Sequence, residues 1–194
     1  MDAGSVFTAS ELQRRYDDVQ ISLFTPKFTL VPSQFVAEGG EREMLSSVAQ
    51  LSDSDRVFST DIPEFAAKLL WSPSNVGKLS ETLSNTVLRV DGSRAEVLPE
   101  PYYMLCSLHS MSRYNKIVAS YADSKLYLVI AEGRSLRLCN VFDAPGFTSA
   151  EYWIFSAMKN LQLNPDVSDI VFRTPISEEE EISLCSYFRS VEIF

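Results

Sequence analysis

Cys106 and His109 stand three residues apart in the segment PEPYYMLCSLHSM, whose composition predicts a helix, so the two share a helix face. A thiol beside an imidazole can be half of a zinc site or a cysteine nucleophile with its base. Zinc takes about four ligands, yet His109 is the sole histidine, and Cys139 and Cys185 stand alone without CxxC or HxxxH spacing. No local signature of a cysteine nucleophile surrounds Cys106. Among Tyr102, Met104, Leu105 and Leu108 it reads as a core residue. Glu178 to Glu181 form a run of four carboxylates that could gather a cation or face a basic partner. Ser177 and Glu180, however, have capping-box spacing, and acids in a first turn favour the helix dipole, so the run predicts a helix start. Phosphate binding requires glycine so that backbone N–H groups can approach the anion. The chain has neither GxGxxG nor GxxxxGK, and of its seven glycines only Gly39 and Gly40 adjoin, ahead of the acidic stretch EREM. That pair reads as a helix lead-in.

The remaining composition narrows the classes. At 194 residues and 45% hydrophobic content the chain can bury a core as one domain or two small lobes. Its formal net charge is −9, with 17 Lys plus Arg. Nucleic-acid binding rests on neutralising phosphates with basic side chains, so this balance argues against it. No stretch approaches the roughly 20 apolar residues of a membrane span. The start MDAGSVFTASEL has neither a basic region nor an apolar one, and so is not a secretory signal. The three cysteines are scattered and odd in number, which suits free thiols in a reducing compartment. The expected location is the cytoplasm.

The elements that must position any site follow from periodicity and breakers. Residues 8–16 read as a short helix with Thr8 and Glu11 at capping-box spacing. Asp18–Thr25 alternates apolar and polar residues, a strand signal, and FTLVP at 28–32 is a second extended piece. Glu38–Leu51 reads as a helix with Met44, Val48 and Leu51 on one face. Arg56–Ser59 and Ala66–Trp71 read as strands. Ser72 and Pro73 open a helix to about Leu83, and Thr86–Val90 is strand-like before the Asp91-Gly92 turn. Pro99 opens the helix that carries Cys106. Lys116–Tyr121, Leu126–Ile130 and Leu136–Phe142 are three strands with short links, hence an antiparallel meander. A helix capped by Thr148 and Glu151 runs to about Leu163, stopped by Asn164-Pro165. Tyr152, Trp153 and Phe155 on it cannot share one face, so at least one meets a second surface. Asp169–Arg173 is a strand, Ser177–Tyr187 a helix and Val191–Phe194 a last strand.

From residue 116 onward the order is βββαβαβ, that of the ribonuclease H-like fold, which also builds each half of actin-like ATPases. A ribonuclease H-type nuclease needs carboxylates converging on a metal pair, one of them in the first strand. Lys116–Tyr121 contains no acid, Asp123 falls in the turn and Asp169 at the start of a later strand, so two-metal chemistry is not expected and no metal site is assigned.

The segments FTPKFTLVPSQFV (24–36) and LCNVFDAPGFTSAEYWIFSAMKNLQLNPDVSDIVF (138–172) carry a further likeness. The chain resembles a bacterial family of unknown function, through Phe28, Leu30, Val31, Pro32 and Phe35, then Asn140, Phe142, Tyr152, Leu161, Leu163 and Pro165. The resemblance extends over about residues 10–194. It implies an α/β actin-like ATPase fold of two ribonuclease H-like lobes, 1–115 and 116–194, and brings no established activity. Nucleotide-binding actin-like proteins have an Asp- and Gly-rich phosphate loop between the first two strands of the second lobe; here the link is Ala122-Asp123-Ser124-Lys125. Their later Gly-Gly turn is Phe172-Arg173-Thr174-Pro175 here. Family members begin with a three-stranded meander and a helix before DVQISLFT, so the first lobe is expected to lack its N-terminal strands, as a shortened homologue or a chain starting downstream of the natural start. The Asp18–Thr25 strand would then offer an unpaired edge for self-association.

These readings predict a non-catalytic cytoplasmic scaffold or protein-binding module with a degenerate nucleotide site. No catalytic residue or cofactor is assigned, the partner is an unidentified protein, and neither nucleic acid nor membrane insertion is expected. The alternative is an atypical nucleotide-binding protein or ATPase using Asp123, Ser124, Lys125, Arg173 and Thr174, the polar set at the places the fold provides.

Overall fold

The computed structural model describes residues 14–73, 87 and 89–194. These fall into two units, one of residues up to Asp61 together with Lys68–Glu100, the other of Ile62–Ala67 with Pro101–Phe194. The expected helices at 8–16 and 72–83 and the strand at 86–90 lie largely outside the described residues, and Arg14 to Tyr16 are not helical.

In the first unit, β1 (Ile21–Leu23) is shorter than the alternation of Asp18–Thr25 predicts. It pairs in parallel with a strand at Val97–Pro99, Ile21 opposite Val97 and Leu23 opposite Pro99. β2 (Phe28–Pro32), β3 (Phe58–Ile62) and β4 (Ala67–Trp71) form a three-stranded sheet with β4 in the middle. Central position explains composition: Leu69, Leu70 and Trp71 are buried, while Phe58, Ser59 and Asp61 of edge strand β3 are exposed. The fully buried Thr25 hydroxyl donates to the Ser72 carbonyl at 2.6 Å and accepts from the Lys27 amide at 3.2 Å, tying the start of β2 to the end of β4.

Two readings of this unit are corrected. The helix expected over Glu38–Leu51 is only α1 (Glu41–Ser46). Ser46 and Ser47 turn their hydroxyls back onto the carbonyls of Glu43 and Met44, at 2.8 and 2.7 Å, and the helix ends there. Its buried anchor is Leu45, whereas Val48, expected on the apolar face, is 64% exposed. β5 (Val97–Pro99), too short to show a period, was not expected. Its Pro99, read as a helix opener, is a strand residue, tolerated where no amide is needed by the ladder. The next residue opens α2 (Glu100–Ser110).

The second unit holds β6 (Asn115–Ala122), β7 (Lys125–Glu132), β8 (Ser135–Asp143), α3 (Phe147–Asn160), β9 (Asp169–Phe172), α4 (Glu178–Cys185) and β10 (Ser190–Ile193), the βββαβαβ order expected. The sheet order is β10-β9-β6-β7-β8. β6, β9 and β10 run parallel, with Lys116 opposite Asp169 and Ala119 opposite Phe172, while β7 is antiparallel to both β6 and β8. Ile117, Ala119, Leu126, Leu128, Ile130 and Phe172 face a core shared with α3 and α4. The alternate residues Val118, Val129 and Val171 are buried on the opposite face. α2 lies on that side, where Lys116 Nζ donates to the Leu108 carbonyl at 2.9 Å. Burial on both faces is why these strands read as unbroken apolar runs. β8 is an edge strand of nine residues and its register with β7 shifts between Ile130 and Ala131, a bulge beside the Arg137–Glu132 ion pair.

Ser177 and Glu180 form the expected reciprocal capping box at the start of α4. Thr148 and Glu151 do not. α3 begins at Phe147 with Gly146 as its cap, because the Phe147 ring is held edge-on to Tyr121 at 5.6 Å and against Phe172 at 6.0 Å, drawing the helix entry one residue earlier. Glu151 is left to accept from Ser183 of α4 at 2.6 Å. The helix also stops sooner than Leu163, at Asn160, with Gln162 at a left-handed φ of 58°.

Candidate functional site

The five residues singled out for nucleotide contact lie at one end of the five-stranded sheet, beyond the C-terminal ends of parallel strands β6 and β9. In open α/β sheets that is where ligands bind. The Arg173 amide donates to the Ala119 carbonyl at 2.9 Å, and the Tyr121 amide donates to Thr174 Oγ1 at 2.8 Å, so the chain leaving β9 continues alongside β6. The β6–β7 hairpin closes at the pair Ala122–Lys125 and leaves only Asp123 and Ser124 in the turn. Both have positive φ, 52° and 57°, as a two-residue type I′ turn requires. Asp and Ser stand where glycine is easiest, and the turn is too tight to form a loop of converging amides. The Ser124 carbonyl accepts from the Ala144 amide at 2.9 Å, closing the turn against the loop after β8.

Three of the groups at this end, on Lys125, Arg173 and Thr174, are engaged within the protein, while Ser124 is exposed. Lys125 Nζ lies 2.5 Å from the Asp143 carboxylate. Thr174 is nearly buried, and its hydroxyl is the acceptor for Tyr121. Arg173 donates to Ser107 Oγ of α2 at 3.1 Å, its guanidinium 5.7 Å from the centre of the Tyr103 ring. Asp123 is exposed and acidic, a charge that repels phosphate unless a metal intervenes. Among the described residues no group of three or more His, Cys, Asp or Glu side chains is placed to hold a metal ion.

The opposite end of β9 holds a second polar constellation, whose role sequence reasoning did not identify. Asp169, 2% exposed, accepts from both Arg189 Nε, at 2.9 Å, and Arg189 Nη2, and from Ser190 Oγ at 2.6 Å. Arg113 Nε lies 3.0 Å from the same carboxylate, and its Nη2 reaches Glu192. The Arg189 fork, with Ser190 and the Arg113 charge, holds the Asp169 carboxyl below the usual carboxylate range; the same contact raises the Arg189 pKa. This is a clamp joining β9 to β10 and to the segment before β6. The one signal for it in sequence, an acid opening an otherwise apolar strand, does not name its partners.

The cysteines and aromatics resolve simply. Cys106 is exposed rather than core, yet partial burial pushes its thiol up, which disfavours the nucleophilic thiolate. Burial pushes the Cys139 thiol up to about 12. Trp153 stacks on Phe142 at 4.9 Å and donates its indole N–H to the Asp143 carbonyl at 3.0 Å. Phe155 packs against Tyr187 and Phe188, at 5.0 and 5.8 Å, while Tyr152 is 64% exposed. Among the described residues no helix is long and apolar enough to cross a membrane.

Comparison with known proteins places this geometry. The sequence matches, over residues 4–191, the family described as protein of unknown function (DUF3822). No curated protein matches it. Among solved structures it is similar to a Bacteroides thetaiotaomicron protein with an actin-like ATPase fold and unknown function, at 18% identity and a TM-score of 0.68, covering 98% of this chain and 74% of that one. A PilM–PilN type IV pilus biogenesis complex aligns at 12% identity and a TM-score of 0.46, over 86% of this chain and 65% of that one. A Ppx/GppA family member from Aquifex aeolicus aligns at 16% identity and a TM-score of 0.27, over 53% and 39%. The α/β actin-like ATPase fold expected from the sequence is thus the fold of this chain.

Proposed function

From the premise that the chain belongs to this family of unknown function and has an actin-like ATPase fold, we propose that it is a non-catalytic cytoplasmic binding module, acting through protein contacts with a degenerate nucleotide site. One observation carries the reading. At the sheet end where the fold offers a ligand site, Lys125, Arg173 and Thr174 are each bonded within the protein, and the hairpin is a two-residue turn. Phosphate would have to displace an ion pair at Lys125 and would face the Asp123 carboxylate. Self-association belongs to the same reading, through the segment Asp18–Thr25, whose strand is three residues long and paired to β5 on one side.

The second reading, an atypical nucleotide-binding protein, is favoured by the gathering of Asp123, Ser124, Lys125, Arg173 and Thr174 at one sheet end. A thermal-shift titration of the whole chain with ATP, ADP and magnesium separates the two. A ligand that binds only the folded state stabilises it by RT ln(1 + [L]/Kd), about 2.7 kcal/mol at a hundredfold excess over Kd. The binding-module reading expects no shift at millimolar nucleotide. A clear rise that disappears when Asp123 and Lys125 are both replaced by alanine would establish the alternative.

A further inference from the structure

The first unit contains a groove of about 600 Å³, walled by Gly39, Glu41 and Arg42 together with the stretch 55–59. Its lining pairs two arginines, Arg42 and Arg56, with two acids, Glu41 and Asp55, in a chain of formal net charge −9. Arg42 directs two N–H groups to backbone carbonyls, of Asp55 at 2.6 Å and Ser52 at 2.8 Å, which fixes the guanidinium without neutralising it. Asp55 is matched by Lys27 at 2.6 Å, and that contact holds its carboxyl below the usual range, so it stays ionised and paired. Arg56 is exposed and has no carboxylate partner among the described residues. With Lys27, from outside the lining, taking up the Asp55 charge, Glu41 is the one lining acid left to face Arg42 and Arg56.

Beside these cations lies an aromatic surface. The Phe58 ring stacks on Trp71 at 5.0 Å with an interplanar angle of 26°, and it is 42% exposed. Trp71 is 5% exposed and donates its indole N–H to Thr60 Oγ1 at 3.1 Å. One face of Phe58 is therefore backed by a fixed ring and the other is open. Phe58 and Ser59, which line the groove, are also the first residues of edge strand β3. Among the described residues no strand lies beyond it. An exposed edge is a template for main-chain pairing, and flanking pockets then select side chains.

We propose that this groove takes an extended segment of a partner protein bearing carboxylate side chains. The segment pairs main chain to main chain with β3, lays an apolar side chain on Phe58 and sets a carboxylate against Arg56. The inference rests on the binding-module reading and names the partner chemistry for it. The two fail separately, because a nucleotide-induced thermal shift tests the end of the five-stranded sheet in the second unit and says nothing of this groove.

The test is fluorescence anisotropy of the whole chain with a short dye-labelled peptide alternating glutamate and valine. Controls are the same peptide with lysine for glutamate and the same peptide N-methylated at alternate amides. Binding of the acidic peptide is expected, weakened about tenfold by Arg56→Glu and by Phe58→Ala and lost on N-methylation. Arg56 is exposed, so its variant keeps the proposal testable if Phe58→Ala lowers stability. No binding of the acidic peptide at about millimolar protein overturns the proposal. So does equal binding of the lysine peptide, indifference to both variants or to N-methylation, or complete displacement by inorganic phosphate. Sedimentation showing a peptide-free dimer that Arg56→Glu dissolves would assign the groove to a second copy and overturn the partner chemistry.

Discussion

In the five-stranded sheet, the middle strands β6, β7 and β9 are buried on both faces, and the polar groups at both ends of β9 are tied into clamps. In the three-stranded sheet only β4 is buried in this way, and β3 leaves Phe58, Ser59 and Asp61 to solvent. The first arrangement maximises apolar burial and leaves little chemistry free at its ends. The second gives up burial along one edge and keeps cationic and aromatic groups accessible there. A single α/β chain thus contains one sheet built for stability and one with a surface left for contact.

Substitution should break this contrast in order of burial. Phe172 is fully buried in β9 and packs beside Phe147. Phe172→Ala should cost about 4 kcal/mol in urea unfolding; a loss below about 1 kcal/mol would mean that this sheet does not carry the stability assigned to it. Asp169→Ala should cost about 2 kcal/mol, below the figure for fully buried pairs because its arginine partners are partly exposed. The same residue sets a pH dependence. Folding lowers the Asp169 pKa, so its carboxyl takes up a proton more readily when unfolded. Its stabilisation is complete above the unfolded value of about 3.9 and is lost as pH falls through the lower folded value. Urea midpoints measured from neutral pH down to about pH 2 should therefore fall less steeply in Asp169→Asn than in the parent. At the small end, Phe58→Ala should cost about 1 kcal/mol and Arg56→Glu within about 0.5 kcal/mol. A larger loss from Arg56→Glu would place that side chain in the fold rather than on a contact surface.

The second unit was readable because its signals are local. Leu126 to Ala131 is a continuous apolar run, Ala122-Asp123-Ser124-Lys125 is a link short enough to force a hairpin, and Ser177 with Glu180 caps α4 within four residues. Where sequence reading failed, a distant partner decided the outcome. Thr148 loses its capping role to the anchoring of Phe147 against Tyr121 and Phe172. β5 exists through its pairing with β1, which its three residues of pattern cannot announce. Asp123, Ser124, Lys125, Arg173 and Thr174 lie at one sheet end, but the engagement of Lys125, Arg173 and Thr174 with Asp143, Ser107 and Tyr121 has no signal in the sequence. Nor was the groove, whose walls come from segments some fifteen residues apart in the chain.

The bulge between Ile130 and Ala131 bears on how this molecule behaves at high concentration. Among the described residues β8 is the longest strand, with one side open and Leu136, Leu138 and Phe142 along it. A flat strand of that length would be a site for runaway stacking of molecule on molecule. The extra residue bends and twists the strand, and Arg137 stands at the bend. Fibrous growth along this margin is thereby disfavoured, and the chain can keep the short margin at β3 open without a second, longer one competing for every passing peptide.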